Sequence, residues 1–366
     1  MELNTKELIA VLKSATSYLE KFDGMSERTC RTHSMPFLHH LYLNGTDVVT
    51  FNGKSYFKTS CTMGVEGLLY PHELVRMLAC LKTDTVGITK NKNGFKLKYG
   101  KNHTTVPVLP CDDHPLKDGL PKPNYEVQIP ANNLPDFIEG IKRCSISLDS
   151  GEDKSGWSGV TCIPGDKGLM LYSTDGISMS KYGPVDLDLG EDQVIIPSLI
   201  CKQLTARQKL LDGKSVLLSF SDVYTSMTYD NTTIATMMSS EKVALDFEMV
   251  MSKYLVNKPM LFTLPESIKE TMRRIQVSIS KVDEKAKQIR VVGMKTSGGK
   301  LSISTQSGLS ITESLDIDTD DETEASFGSS EIKKALSFTT KMGMKDDYAI
   351  FEDGKFLHFL AYTRSK

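Results

Sequence analysis

The chain has 366 residues, with 44 Lys and Arg against 46 Asp and Glu and a net charge of −2. That length exceeds one ordinary core and suits two or three domains, and 39 % apolar with 25 % charged residues is a soluble globular composition. The sequence lacks an apolar run long enough for a membrane helix, and the opening MELNTKELIA carries acidic side chains, so neither a transmembrane span nor a secretory signal is expected.

Taken in chain order, the clearest feature is a recurring junction, in which a short apolar run meets a turn residue and then a helical pattern. It opens the chain as MELNTKELIAVL, with Asn4 or Thr5 as N-cap. It returns as GLLYPHELVRML with Pro71, VQIPANNLPDFIEGI with Pro130, VIIPSLICKQL with Pro197 and LFTLPESIKETMRRI with Pro265. Proline suits a helix start because the N–H it lacks has no helical partner there. The last instance is ASFGSSEIKKAL, with Ser329 or Ser330 as N-cap. From Thr5 through Ser330 the junctions are spaced 66, 59, 67, 68 and 65 residues apart, a period that implies six repeated units.

Between the helices lie strand-like segments such as GFKLKYG, SVLLSFS, KQIRVVGM, KLSISTQ and YAIFEDGKFLHFLAYT, separated by turns such as NKNG, EDGK and SGGK. Each unit therefore reads as a strand, a helix and about three antiparallel strands. Two units per domain give domains at 1–123, 124–257 and 258–366, with boundaries in the Pro-bearing connectors KDGLPKPN and NKP. In the fifth helix Ile268, Met272, Ile275 and Ile279 form one apolar stripe; in the sixth, Ile332, Ala335 and Leu336 share a face.

Charge is segregated along this pattern. The helical segments, taken as 5–21, 71–82, 130–143, 197–209, 265–281 and 329–341, hold 17 basic and 8 acidic residues, and the remainder of the chain is net acidic. One reading is the ordinary collection of Lys in last helical turns. The sharper reading is a basic helix layer that meets phosphates without reading bases, with an acidic sheet outside that repels DNA from every other surface.

Chemistry-bearing motifs are sparse. Seven cysteines form no C-x-x-C pair and read as reduced, mostly buried thiols, and the adjacent His39 and His40, if on a strand, would point to opposite faces and could not easily share a metal. Hydrolase, zincin and phosphate-loop motifs are missing. Asp175 in TDG reads as a turn residue, and DIDTDDETE (316–324) lacks EF-hand spacing and reads as a solvated connector. No catalytic residue, metal or cofactor is expected.

The order of these elements resembles the bacterial β sliding clamps, the DNA polymerase III β subunit family. GLMLYSTDGISMSKY followed by QVIIPSLICKQL is the nearest local match; TVPVLPCDDHP resembles the end of the first clamp domain, and YAIFEDGKFLHFLAYTR the last hairpin and tail. The resemblance implies an α+β fold of three DNA-clamp domains, each of two strand–helix–strands units. Antiparallel sheets lie outside, and helices line the central hole of a closed ring. It implies a cytoplasmic, non-enzymatic processivity factor whose partners are duplex DNA of any sequence, a DNA polymerase, a clamp loader and a second copy of the chain. The sequence is also compatible with a trimer.

Carried over by position, Thr104 and Val106 would meet Ile275, Val277 and Ser278 of the next copy. A peptide pocket would be built from Trp157, Thr174, Gly176, Ile177, Met179, Leu245, Met249, Val250, Phe359, Leu360 and Ala361. DNA contacts are assigned to Arg28, Arg31, Lys154, Lys202, Arg207, Arg274 and Lys334. The chain departs from the family where Ile177 and Ser178 replace a His and a basic residue, at Leu245 for Pro, and at Ala361 and Tyr362 for Met and Pro. This divergence fits a member from a bacteriophage or from a distant bacterium. The rival readings are a clamp-fold adaptor that does not slide on DNA, and a hydrolase.

Overall fold

The computed structural model describes residues 1–19, 35–111, 114–148, 159–190, 193–237, 245–280, 291–305, 311–345 and 347–362. The backbone repeats one motif six times: a strand, a helix and a three-stranded meander. The first copy is β1 (Glu2–Asn4), α1 (Thr5–Thr16), β2 (Leu41–Asn44), β3 (Asp47–Phe51) and β4 (Ser55–Ser60). The second is β5 (Glu66–Leu69), α2 (Pro71–Ala79), β6 (Thr85–Asn91), β7 (Gly94–Tyr99) and β8 (Asn102–Pro107). The third is β9 (Tyr125–Ile129), α3 (Leu134–Cys144), β10 (Gly159–Gly165), β11 (Gly168–Thr174) and β12 (Ser178–Val185). The fourth is β13 (Val194–Pro197), α4 (Ser198–Ala206), β14 (Val216–Phe220), β15 (Tyr224–Tyr229) and β16 (Thr232–Met237). An additional helix, α5 (Phe247–Leu255), follows. The fifth copy is β17 (Phe262–Thr263), α6 (Ile268–Ser280), β18 (Val291–Ser297), β19 (Lys300–Thr305) and β20 (Thr312–Asp316). The sixth is β21 (Thr323–Gly328), α7 (Ser329–Ser337), β22 (Lys341–Lys345), β23 (Tyr348–Asp353) and β24 (Phe356–Ala361).

Successive copies exchange their leading strands. The strand before each helix pairs with the first meander strand of its neighbour: β1 with β6, β5 with β2, β9 with β14, β13 with β10, β17 with β22 and β21 with β18. All pairings are antiparallel. Four sheets result, in the orders β1-β6-β7-β8, β5-β2-β3-β4-β16-β15-β14-β9, β13-β10-β11-β12-β24-β23-β22-β17 and β20-β19-β18-β21.

The chain folds as two compact units, Met1–Ala131 with Gly213–Ser240, and Asn132–Asp212 with Glu241–Lys366. In the first unit α1 packs on α2. Leu8, Leu12 and Ala15 recur at helical spacing and are buried, as are Leu74 and Leu78 of α2 and the inward residues Val86, Ile88, Phe95 and Leu97. Each such leucine contributes about 2 kcal/mol by leaving water. In the second unit α3 packs on α4 and α6 on α7. There Ile268, Met272 and Ile275 join Ile332, Ala335 and Leu336 in one core with Val292, Met294, Leu301 and Ile303. The α3–sheet contact is close at Gly140, where a Cβ would stand 2.5 Å from the Tyr182 ring.

Several local expectations are corrected. Only Pro71 is itself the first residue of a helix. Pro130 follows β9, and α3 starts four residues later with Pro135 in its first turn. Pro197 is the N-cap of α4, and the Pro265 carbonyl accepts from Ile268 N at 3.0 Å. Asn4 rather than Thr5 caps α1, its Oδ1 accepting from the N–H groups of Lys6 and Glu7 at 3.0 and 3.2 Å. At α7 neither Ser329 nor Ser330 caps; Gly328 holds that position without a side-chain bond.

Candidate functional site

The second unit holds a cavity of about 640 Å³. The β11–β12 turn forms one wall. Asp175 Oδ1 accepts from Ile177 N (2.9 Å) and Ser178 N (2.6 Å), and Thr174 Oγ1 donates to Ser178 O (2.7 Å). Gly176 sits at φ +82, a left-handed conformation that favours glycine. The turn leaves Ile177 64 % exposed at the mouth. The opposite wall is α5, which supplies Val250 and Tyr254. Asp246 Oδ1 caps this helix by accepting from Met249 N at 2.8 Å. Tyr254 packs edge-on against Tyr348, with ring centroids 5.0 Å apart, and Tyr348 OH donates to Tyr254 O at 2.9 Å. The floor is β24, through Phe359 and Ala361.

Of the expected pocket residues, Thr174, Gly176, Ile177, Met179, Leu245, Val250, Phe359 and Ala361 line this cavity. Leu360 does not. Strand alternation turns it to the opposite face, where it is 1 % exposed in the core around α6 and α7. Met249 also stays off the wall and is 52 % exposed on the solvent side of α5. Trp157 lies outside the described residues. Sequence reasoning missed Tyr254, Tyr348, Glu324 and Asp347. A signal was present for Tyr254: Phe247, Val250, Met251 and Tyr254 follow helical spacing behind an Asp N-cap.

Beneath the turn runs a buried polar chain. Ser178 Oγ donates to Ser147 Oγ (3.0 Å); Ser147 and Ser180 share a hydrogen bond (2.7 Å); Ser180 Oγ lies 2.9 Å from His358 Nδ1. Burial pushes the His358 imidazole down to about 3, so the ring is neutral. Ser180 is 0 % and His358 2 % exposed, so no substrate reaches this serine–histidine pair. The cysteines Cys144, Cys162 and Cys201 are likewise sealed in the core, where burial raises all three thiols.

Among the described residues, Lys202 and Lys334 are exposed on α4 and α7 and form no ion pair. Lys6, Lys13, Arg76, Lys269, Arg273 and Lys333 share that status on α1, α2, α6 and α7. The six repeat helices together carry eleven basic and six acidic residues. Two expected DNA contacts are engaged elsewhere. Arg274 forks onto Glu313, with Nε 2.8 Å from Oε1, and its Nη1 pairs with Glu270 at 3.1 Å. The Arg274 bond holds the Glu313 carboxyl below its usual range. Arg207 lies past the end of α4 and folds back, Nε donating to Gln203 Oε1 at 3.0 Å. Arg28, Arg31 and Lys154 lie outside the described residues.

The expected self-contact residues fall on an edge strand, β8, and on a helix, α6. Thr104 and Val106 line a hollow of about 190 Å³ between β8, an edge strand, and α2. Of the opposing set, Val277 is 52 % exposed on α6, whereas Ile275 is wholly buried in the apolar stripe that docks α6 on its core. The side chain of Ser278 lies outside the described ones.

Known protein-family models do not match the chain, and neither does any curated protein sequence. Solved structures do match its fold over its full length. A DNA polymerase sliding clamp from Pseudomonas aeruginosa superposes with a TM-score of 0.78 at 15 % identity, covering 100 % of this chain and 99 % of that one. The β subunit from the DNA polymerase of Streptococcus pyogenes gives 0.78 at 16 % identity with the same coverage. A DNA polymerase III β sliding clamp from Bartonella birtlesii, solved bound to griselimycin, gives 0.79 at 16 %, again covering 100 % and 99 %. The chain has the fold of the bacterial β sliding clamps, as a divergent version of it.

Proposed function

We propose that the chain is a DNA sliding clamp that encircles duplex DNA and tethers a replicative polymerase. The observation that carries this reading is the sixfold strand–helix–meander repeat whose helices pair and present unpaired cations. Lys and Arg on such helices neutralise phosphates, release counterions and read no bases, as movement along any sequence requires. The DNA-facing set comprises Lys202 and Lys334 with Lys6, Lys13, Arg76, Lys269, Arg273 and Lys333, together with Arg28, Arg31 and Lys154 of the sequence-based assignment. Arg207 and Arg274 are left out because their guanidinium groups already have partners.

In this reading the repeats form three domains, at 1–123, 124–257 and 258–366. Two copies close head to tail in the cytoplasm, the β8 edge of one meeting the α6–β20 side of the next. A clamp loader opens that contact. The 640 Å³ cavity takes short apolar peptide segments of the polymerase and other partners, with Ile177, Val250 and Phe359 as apolar walls.

Retention on DNA topologies tests the reading. Protein loaded on nicked circular plasmid stays bound through gel filtration and runs off once the plasmid is cut. Equal loss from circle and line leaves the rival reading, a clamp-fold adaptor. Charge reversal at Lys6, Lys202, Lys269, Arg273 and Lys334 lowers the slope of log affinity against log salt by about 0.9 for each phosphate that is no longer neutralised. Retention unchanged by the five reversals rejects the assigned set.

A further inference from the structure

We propose that the cavity selects a cationic partner: an apolar peptide with lysine or arginine beside its anchors. This rests on the peptide-binding reading of the same cavity and adds the chemistry of the ligand.

The charged side chains among the described wall residues are Glu324 and Asp347. The other polar side-chain groups of the wall are hydroxyls, those of Thr174, Ser178, Tyr254, Ser326, Tyr348 and Tyr362. Glu324 lies on β21, an edge strand, and is exposed. Among the described residues its carboxylate makes no ion pair or hydrogen bond. Lys295, its cross-strand neighbour on β18, is not part of the wall and does not pair with it. Lys258 pairs with Glu352 and Lys181 lies 3.5 Å from Glu248, while the Lys345 ammonium is turned to Asn257 O at 3.1 Å. The cavity therefore presents the Glu324 carboxylate without a compensating cation among the described wall residues. Concave apolar walls focus that field. A ligand carboxylate placed here meets like charge, whereas a ligand ammonium or guanidinium gains a partner.

Isothermal titration with two synthetic octapeptides tests this. Both carry the same two leucines and a phenylalanine; one is flanked by two lysines and its twin by two glutamates. In low salt the lysine peptide binds about fivefold tighter or better, and the advantage shrinks as salt rises. Glu324→Lys narrows or reverses the preference, Glu324→Gln gives an intermediate value, and both variants keep the wild-type melting temperature. Equal binding of the two peptides, or a preference untouched by Glu324→Lys, overturns the charge selection and leaves peptide binding intact. If neither peptide binds, or if Ile177→Asp leaves both affinities unchanged, the peptide reading falls and the selection with it.

Discussion

The two four-stranded sheets share one wiring and carry opposite charge. In β1-β6-β7-β8, residues 85–107 hold five lysines and no acid. In β20-β19-β18-β21, residues 312–324 hold seven acids and no base, and outweigh Lys295 and Lys300 on β18 and β19. The common topology comes from a repeated backbone unit; the charge was placed on it independently. A contact between identical patches would set lysine on lysine. A contact between the first sheet of one copy and the last sheet of the next sets opposite charges together and closes when used all the way round. The same comparison corrects the simpler picture of a uniformly acidic exterior. Lys96 and Lys98 stand on the sheet face opposite the buried Phe95 and Leu97, so that exterior is basic.

The largest effect is expected from making the two sheets alike. In the proposed head-to-tail assembly, Lys96→Glu, Lys98→Glu and Lys101→Glu together weaken self-association by about 100-fold, if each missing pair is worth about 1 kcal/mol. Sedimentation equilibrium reads this as a shift to monomer. Reversal of Asp316, Asp318 and Asp320 to lysine in the same chain restores the oligomer. A triple variant that keeps its assembled mass ends the head-to-tail reading of these charges. The same assembly of wild-type chains should weaken as salt rises, because charges paired at an exposed contact are screened.

A second contrast sets the two compact units against each other through their buried histidines. In the first unit His114 stacks on Tyr42 at 4.7 Å, and burial pushes its imidazole down to about 4. In the second unit burial pushes His358 down to about 3. In the unfolded chain both rings take a proton near pH 6.5. Between that value and the folded ones the unfolded chain binds more protons, so stability is full above pH 6.5 and falls as the pH drops. At pH 5 each ring costs about 2 kcal/mol relative to pH 7. Urea unfolding of wild type, His114→Phe and His358→Gln at both pH values checks this. Each variant loses its own share of the pH dependence, and a slope unchanged in His358→Gln contradicts the buried neutral ring.

The parts of this architecture that showed in the sequence are those with a strong local cause. Helix starts were marked by Pro71, by Asn4 and by apolar stripes such as Ile268, Met272 and Ile275, so the sixfold period could be counted. Helix ends were not marked: α1 stops at Thr16 and α4 at Ala206, without a Gly or Pro to announce the end. This left Arg207 outside the helix that was expected to present it. Strand alternation decided Leu360 against Phe359, a one-residue difference that composition does not reveal. The partner of Arg274 lies 39 residues away on β20, a pairing that only tertiary structure creates. The net acidity of the non-helical residues is the sum of a basic sheet and an acidic one, which the total charge does not separate.

The finest contrast lies in how the helix-leading strands of the two end sheets deliver the chain into α1 and α7. Asn4 bonds two of the free N–H groups at the start of α1, while Gly328 offers α7 no side chain. Asn4→Ala should therefore cost about 1 kcal/mol, read as a lower urea midpoint with an unchanged slope. Gly328→Ser should change stability by no more than about 0.5 kcal/mol, because a new cap bond is offset by displacing Glu331, whose Oε2 now occupies the space of the added Cβ. Gly328 is at φ −58, which serine adopts without strain, so a large loss there would mean that Glu331 holds the start of α7 in place of a cap. In that case the two helix starts would be equally well secured by different groups, and Glu331→Ala should cost what Asn4→Ala costs.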